Sequence, residues 1–198
     1  MVDSMRYEIK AASLEDAPML YEQFIEPYFP EAEKKPLKAI LRMMGTGLYS
    51  IIGAYQDDVP KAAAFVTTYP GGQVYLLDYL AVDKSCRSGG IGGLLLRECT
   101  NQLDGKPLLI ETEALDYAKT AEEVEERTKR NRFYERNGAS YTGVKSCVWS
   151  VTYDNWQIGA KKPRTEKQTI EELRNIYQFM FNDPVIYKEK IQIPLSQG

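Results

Sequence analysis

An almost uninterrupted apolar run, Val74 to Val82, leads directly into a glycine-rich turn and then into a helical pattern. A run of this kind predicts a strand buried on both faces. The apolar residues after the turn recur at helical spacing, and they are Ile91, Leu94, Leu95, Cys99 and Leu103. Another apolar run, Pro107 to Thr112, predicts the next buried strand. Two strands joined by a helix that packs on their sheet are a building unit of mixed α/β folds.

The rest of the chain supplies further strands and helices. Its hydrophobic patterns predict strands at 7–12, 48–55, 62–69, 141–153 and 185–193, and helices at 14–26, 37–44, 121–137 and 169–181. Gln56-Asp57-Asp58 predicts a hairpin turn between two of these strands. We therefore expect a mixed α/β fold, with a central mixed β-sheet flanked by helices. Residues 1–158 would form the main domain, and 159–198 a helix–strand extension packed on the same domain.

Charge and hydropathy exclude some classes of function. The chain of 198 residues has the size of one ordinary domain with a small appendage. Its net charge of −3 argues against non-specific binding of nucleic acid. No apolar run approaches the roughly 18 residues that a membrane span needs. The first residues, Met1 to Arg6, do not resemble a secretory leader, so we expect a cytoplasmic protein.

The absence of histidine narrows the chemistry. Nucleophiles activated by histidine and metal sites with histidine ligands are excluded within the chain. The three cysteines, Cys86, Cys99 and Cys147, are too few and too scattered for a disulfide framework or a zinc site, so we expect no metal. Proton transfer would then depend on Asp, Glu, Lys, Tyr, Cys or water.

The glycine-rich turn, Arg87 to Gly93, has the features of a phosphate-binding loop. A helix start presents unpaired N–H groups and the positive end of the helix dipole, and glycines allow close approach to the backbone. Arg87 adds a permanent cation. The Walker pattern fails because no Lys-Ser or Lys-Thr follows the glycines, and the dinucleotide-binding pattern fails because Leu95 stands where its third glycine is needed. The alternative is a merely tight turn between a strand and a helix.

Two motifs carry a resemblance to a known family. Arg87-Ser88-Gly89-Gly90-Ile91-Gly92 resembles the Q/R-x-x-G-x-G/A signature of the GNAT superfamily of acyl-CoA-dependent N-acetyltransferases. About 40 residues later, Arg132-Phe133-Tyr134-Glu135-Arg136-Asn137-Gly138 is similar to the family's F-Y-E-x-x-G-F segment. The order of the motifs, with a predicted strand between them, also fits the family. The resemblance covers roughly residues 5–153.

The resemblance implies a site for acetyl-CoA as co-substrate. The cofactor-binding residues would be Leu80, Ala81, Val82, Arg87, Ser88, Gly89, Gly90, Ile91, Gly92 and Gly93. Of these, the backbone from Ser88 to Gly93 would hold the pyrophosphate, and the edge from Leu80 to Val82 would pair with the pantetheine amides. Tyr134 would lie near the thioester sulfur. The chain departs from the family where Arg127 and Arg130 replace a frequent Asn and Ala, so Arg130 is a further candidate for cofactor binding.

Acyl transfer to an amine needs a base, and carboxylates near strand ends are the candidates. Asp78 interrupts an apolar strand, so its carboxylate is either catalytic or structurally paired. Glu111 and Glu113 end the next strand. They would form an acidic mouth, with Glu111 as a catalytic and Glu113 as a substrate-binding residue, or else a solvated strand end. Tyr134 is the candidate acid, and its alternative role is aromatic packing.

The sequence therefore predicts an N-acetyltransferase that uses acetyl-CoA on a primary amine of a small molecule or a peptide. The amine would attack the thioester directly in a ternary complex. The alternative of another class is a non-catalytic CoA-binding sensor or interaction module, and transfer of a longer acyl group also stays open. We consider a homodimer as well, although no motif supports one, and nothing in the sequence identifies the acceptor.

Overall fold

The computed structural model describes residues 7–103, 105–159 and 161–195. The chain divides into two units, the first formed by Met1–Thr68 and Leu77–Asp104, and the second by Tyr69–Leu76 and Gly105–Gly198. The strand β4, Tyr75–Val82, begins in the second unit and continues in the first. Residues 1–6, on which the expectation about a leader depends, lie outside the described residues.

The first unit places three helices on antiparallel strands. Its elements are β1 (Glu8–Ala11), α1 (Ala17–Phe24), α2 (Leu37–Met44), β2 (Tyr49–Gln56), β3 (Val59–Thr67), most of β4 and α3 (Ile91–Gln102). The strand order is β1-β2-β3-β4, and β2 pairs antiparallel with both β1 and β3. Asp57 and Asp58 form the predicted hairpin turn, with φ of 51° and 60°. The core contains the fully buried side chains Leu20, Phe24, Ile40, Met43, Ile51, Phe65, Ile91 and Leu95.

The second unit is built around the strand order β5-β7-β6-β8. Its elements are β5 (Leu108–Glu113), α4 (Ala121–Arg136), β6 (Ser140–Val148), β7 (Val151–Ile158), α5 (Glu166–Phe181), α6 (Pro184–Lys190) and β8 (Ile191–Gln192). β7 pairs antiparallel with β5 and β6. Helix α4 contacts β5, and α5 contacts β6. The mixed α/β class predicted from the sequence is confirmed.

Two predicted strands are wrong. The segment 141–153 is a hairpin, because Trp149 and Ser150 adopt φ of 50° and 68° and reverse the chain between β6 and β7. The segment 185–193 is mainly the helix α6, because the Asp183 side chain accepts hydrogen bonds from two N–H groups of the first helical turn and Pro184 occupies the first helical position. Only Ile191–Gln192 remains as a strand.

Within the described residues, none of the helices combines the length and the apolar character that crossing a membrane requires. The division into a domain of residues 1–158 and an extension of 159–198 stays a prediction.

Candidate functional site

The glycine-rich turn exposes backbone immediately before α3. Ser88, Gly89 and Gly90 are exposed, and Gly90 is the N-cap residue of the helix with a left-handed φ of 81°. Glycine adopts this φ without strain, and Gly90 has no side chain that could occupy the N–H groups of the first turn. The Leu94 N–H donates to the Gly90 carbonyl at 3.0 Å, so the three preceding amides have no partner inside the helix. The turn thus presents N–H groups and a positive helix end to an anion.

A cation is held beside this turn. The Arg87 Nε donates to the Val82 carbonyl at 3.3 Å, at the end of β4. The Arg87 guanidinium also lies over the Tyr28 ring, 4.9 Å from its centroid, and the Lys84 N–H donates to the Tyr28 hydroxyl at 3.3 Å. Tyr28 therefore helps to orient Arg87 and Lys84 beside the turn. Because Tyr28 lies far from them in the sequence, the sequence alone does not indicate these contacts. Along β4, Leu80 and Val82 are half-buried and Ala81 is buried.

Asp78 is paired through both carboxylate oxygens. Its Oδ1 accepts from the Lys35 ammonium at 2.6 Å, and its Oδ2 accepts from the Tyr49 hydroxyl at 2.7 Å. The Asp78 side chain is only 6% exposed and that of Lys35 18%. Burial, and then the Asp78 charge, raise the pKa of Tyr49 well above its usual value, so Tyr49 stays protonated and donates. The structural alternative for Asp78 thus has named partners, whereas its role as a base stays a prediction.

The segment before α2 is tied to β4 by Tyr79. The Tyr79 hydroxyl donates to the Glu33 carbonyl and accepts from the Lys35 N–H, both at 2.8 Å. The Tyr21 hydroxyl donates to the Lys35 carbonyl at 2.8 Å. Lys35 is therefore fixed through its backbone as well as through its side chain.

Glu111 and Glu113 have different partners in the second unit. Glu111 accepts from the Ser146 hydroxyl at 2.8 Å and from the Tyr177 hydroxyl of α5. Glu113 accepts from Arg127 at 3.2 Å and from Arg130 at 2.8 Å, both on α4. The structure brings Arg130 to Glu113, and the two glutamates do not share a partner among these contacts. Their catalytic and substrate-binding roles stay predictions.

Tyr134 is buried on α4, with 7% of its surface exposed. Its ring packs edge-on against Phe133 at 5.1 Å, and its hydroxyl makes no hydrogen bond within the described residues. Burial raises the pKa of Tyr134 to about 12, and the charge of Arg130, one turn earlier, acts in the opposite direction. The hydroxyl is therefore protonated at neutral pH and available as a donor. Over the ranges that the structure describes, no group of three or more His, Cys, Asp or Glu side chains could hold a metal ion.

Comparison with known proteins finds a family model that matches just under half of the chain. The sequence profile described as an acetyltransferase (GNAT) domain matches residues 48–138. No curated protein matches the chain in sequence.

Solved structures resemble the chain in fold at low sequence identity. A candidate GNAT-family acetyltransferase from Bacteroides thetaiotaomicron has a TM-score of 0.68 at 17% identity, covering 89% of this chain and 99% of that one. An aminoglycoside 6'-N-acetyltransferase complexed with coenzyme A has a TM-score of 0.58 at 16% identity, covering 79% and 99%. The ribosomal-protein-S18-alanine N-acetyltransferase from Escherichia coli has a TM-score of 0.54 at 19% identity, covering 76% and 90%.

Proposed function

We propose that the chain is a member of the GNAT superfamily of acyl-CoA-dependent acetyltransferases, and that it transfers the acetyl group of acetyl-CoA to a primary amine of a small molecule or a peptide. The amine attacks the thioester carbonyl directly in a ternary complex. The observation that carries this proposal is the exposed turn before α3, whose first-turn amides and Arg87 match the charge of a diphosphate.

The residues present fit coenzyme A as co-substrate. We assign the pyrophosphate to the backbone of Ser88 to Gly93, and the pantetheine amides to the edge Leu80–Val82. Support comes from Gly90, which has the left-handed φ that lets the turn expose its amides, and from Arg87, which is held at the carbonyl of Val82. Arg130 remains an additional candidate for the cofactor, because its side chain is 45% exposed beside Glu113.

Proton transfer sets the demands on the side chains. An alkyl ammonium with a pKa near 10.4 must lose a proton, which costs about 4–5 kcal/mol at neutral pH. The new N–C bond forms as the C–S bond breaks, the nitrogen gives up a proton, and the departing sulfur gains one. We assign the donor to Tyr134, because its buried phenol is neutral, with a pKa of about 12. The base is Asp78, Glu111 or water. Asp78 would first have to exchange Lys35 or Tyr49 for the amine.

Two experiments test this proposal. The first measures thiol release from acetyl-CoA with a panel of primary amines, for the wild type and for Tyr134→Phe. We expect turnover with at least one amine and a fall in kcat of about 10²-fold or more in the variant. Unchanged turnover in the variant would refute the role of Tyr134. Tight binding of coenzyme A without turnover on any amine would favour the sensor alternative.

The second experiment measures the binding of coenzyme A by calorimetry and tests whether the glycine-rich turn holds its pyrophosphate. Gly90→Glu places a carboxylate at the turn, and we expect binding to be lost. Gly47→Glu is the matched control, because Gly47 is also an exposed glycine with a positive φ of 73° and open surroundings. If both variants bind coenzyme A like the wild type, the turn does not hold the pyrophosphate.

A further inference from the structure

A cleft in the second unit has no role in the proposed reaction. Its volume is about 470 Å³, within the range of about 300–1,000 Å³ that is usual for small-molecule sites. The walls come from the C-terminal half of α4, from β6 and from β7. Its main polar and aromatic lining residues are Asn131, Glu135, Tyr141, Lys145, Asp154 and Trp156.

A bulge in β6 lies between Tyr141 and Lys145, which both line the cleft. Tyr141 lies opposite Trp156 and Lys145 opposite Asp154, so the five residues 141–145 of β6 span only the three residues 154–156 of β7. The additional residues are absorbed around Gly143, which has a φ of 81°. This positive φ would strain a residue with a side chain, so the bulge favours glycine.

The charged side chains that line the cleft have a net negative charge. Lys145 donates to Asp154 at 2.5 Å and to Asp116 at 2.9 Å, so one ammonium serves two carboxylates. Glu135 is exposed, and its carboxylate has neither an ion pair nor a hydrogen bond within the described residues. A cation that entered the cleft would therefore be attracted to Glu135 without competing with an existing partner.

A hydrogen-bond acceptor in the cleft also favours a ligand that donates hydrogen bonds, as an ammonium or a guanidinium does. The Asn131 Oδ1 is buried and has no hydrogen-bond partner among the residues that the structure describes. Asn131 lies one helical turn before Glu135, so both face the cleft from α4. A buried acceptor without a partner is unfavourable, and a ligand that donates a hydrogen bond would supply the missing partner.

Aromatic side chains form the opposite wall. The Tyr141 and Trp156 rings lie 5.5 Å apart at an interplanar angle of 59°. Trp156 is held in place by its Nε1, which donates to the Thr112 hydroxyl at 2.9 Å. Tyr141 remains 45% exposed, so its ring is open to a ligand. Aromatic faces attract organic cations and also accept an apolar body.

We infer that this cleft binds a small organic cation, an ammonium or a guanidinium carried on an apolar body. The charged group lies against Glu135 and donates a hydrogen bond to the Asn131 Oδ1, while the body packs on Tyr141. No residue of the glycine-rich turn lines this cleft, and binding of the cation does not require coenzyme A. The cleft can therefore be tested independently of the proposed function.

The test uses Trp156 as a reporter. The chain has two tryptophans, and Trp149→Phe leaves Trp156 alone, because Trp149 is in the β6–β7 turn against Phe181 and outside the cleft lining. Three probes with one aromatic body and different charge are titrated without acetyl-CoA: phenethylammonium, 2-phenylethanol and phenylacetate. We expect saturable quenching by the cation, binding of the alcohol weaker by about tenfold or more, and no binding of the anion.

Variants locate the bound cation. In the Trp149→Phe background, Glu135→Gln is expected to weaken phenethylammonium binding by about tenfold. Asn131→Asp is expected to tighten it, because a carboxylate replaces the amide oxygen. Glu126→Gln is the matched control, an exposed glutamate on the same helix outside the cleft, and it should leave binding unchanged. Equal binding of the three probes, absence of quenching by the cation, or an unaltered affinity in Glu135→Gln would each overturn the inference.

Discussion

Removing the Lys35 ammonium should destabilise the first unit through Asp78. The two side chains lie 2.6 Å apart, and the Asp78 side chain is 6% exposed, so its carboxylate has little access to water. Breaking a buried ion pair at one partner costs about 3–5 kcal/mol. Since Tyr49 still donates to Asp78 and Lys35 is 18% exposed, we expect about 2–3 kcal/mol for Lys35→Met.

Urea unfolding at pH 7 measures this loss, and two further variants separate its causes. Lys38→Met is the matched control, because Lys38 is exposed on α2 and has no ion pair within the described residues. The double variant Lys35→Met/Asp78→Asn removes the unpaired charge and should recover about half of the loss or more. A loss below about 1 kcal/mol in Lys35→Met, or a double variant no more stable than the single one, would refute the reasoning.

The same variants separate the two roles of Asp78. If Asp78 acts only as a partner of Lys35, the double variant should retain turnover once it is folded. If Asp78 is the base, Asp78→Asn and the double variant should both lose about 10²–10⁴-fold in kcat.

Three further predictions rest on other residues. Burial raises the pKa of Tyr134 to about 12, so its hydroxyl stays protonated between pH 6 and about 10, and its deprotonation should not reduce wild-type kcat in that range. A fall in kcat towards the basic end of this range, absent in Tyr134→Phe, would contradict this. Burial raises the pKa of the Cys99 thiol to about 12, so Cys99 should react with a thiol reagent at pH 8 only after unfolding, while Cys86 reacts in the folded protein; a time course with and without urea checks the order. Tyr79→Phe removes the acceptor of the Lys35 N–H, and we expect about 1–3 kcal/mol lower stability and faster hydrogen exchange at that amide, measured by NMR.

Much of the fold can be predicted from local patterns in the sequence. The apolar run that becomes β4 and the helical spacing that becomes α3 can be predicted from the sequence because each depends on neighbouring residues. The errors have the same origin. Trp149 and Ser150 are not usual left-handed turn residues, so the sequence predicts one strand where the structure has a hairpin. The apolar pattern of 185–193 likewise predicts a strand, although Asp183 caps the helix α6 there.

The candidate site divides in the same way. The glycine-rich turn and the carboxylates were identified from residue type and order along the chain, and Tyr134 from the resemblance to the GNAT superfamily. Their partners were not, because Lys35 and Asp78 are 43 residues apart and Tyr49 and Asp78 are 29 apart. The cleft beside α4 depends on a bulge and on strand register, which no single segment encodes.

The sequence by itself determined the class of fold, the resemblance to the GNAT superfamily and the prediction of an anion-binding turn, since hydrophobic periodicity and a short glycine motif are properties of adjacent residues. Only the tertiary structure decided which carboxylates are neutralised, which phenol stays protonated and which acceptor is left without a donor. Those outcomes depend on burial and on distances between residues far apart in the chain, and electrostatic energies change steeply with both.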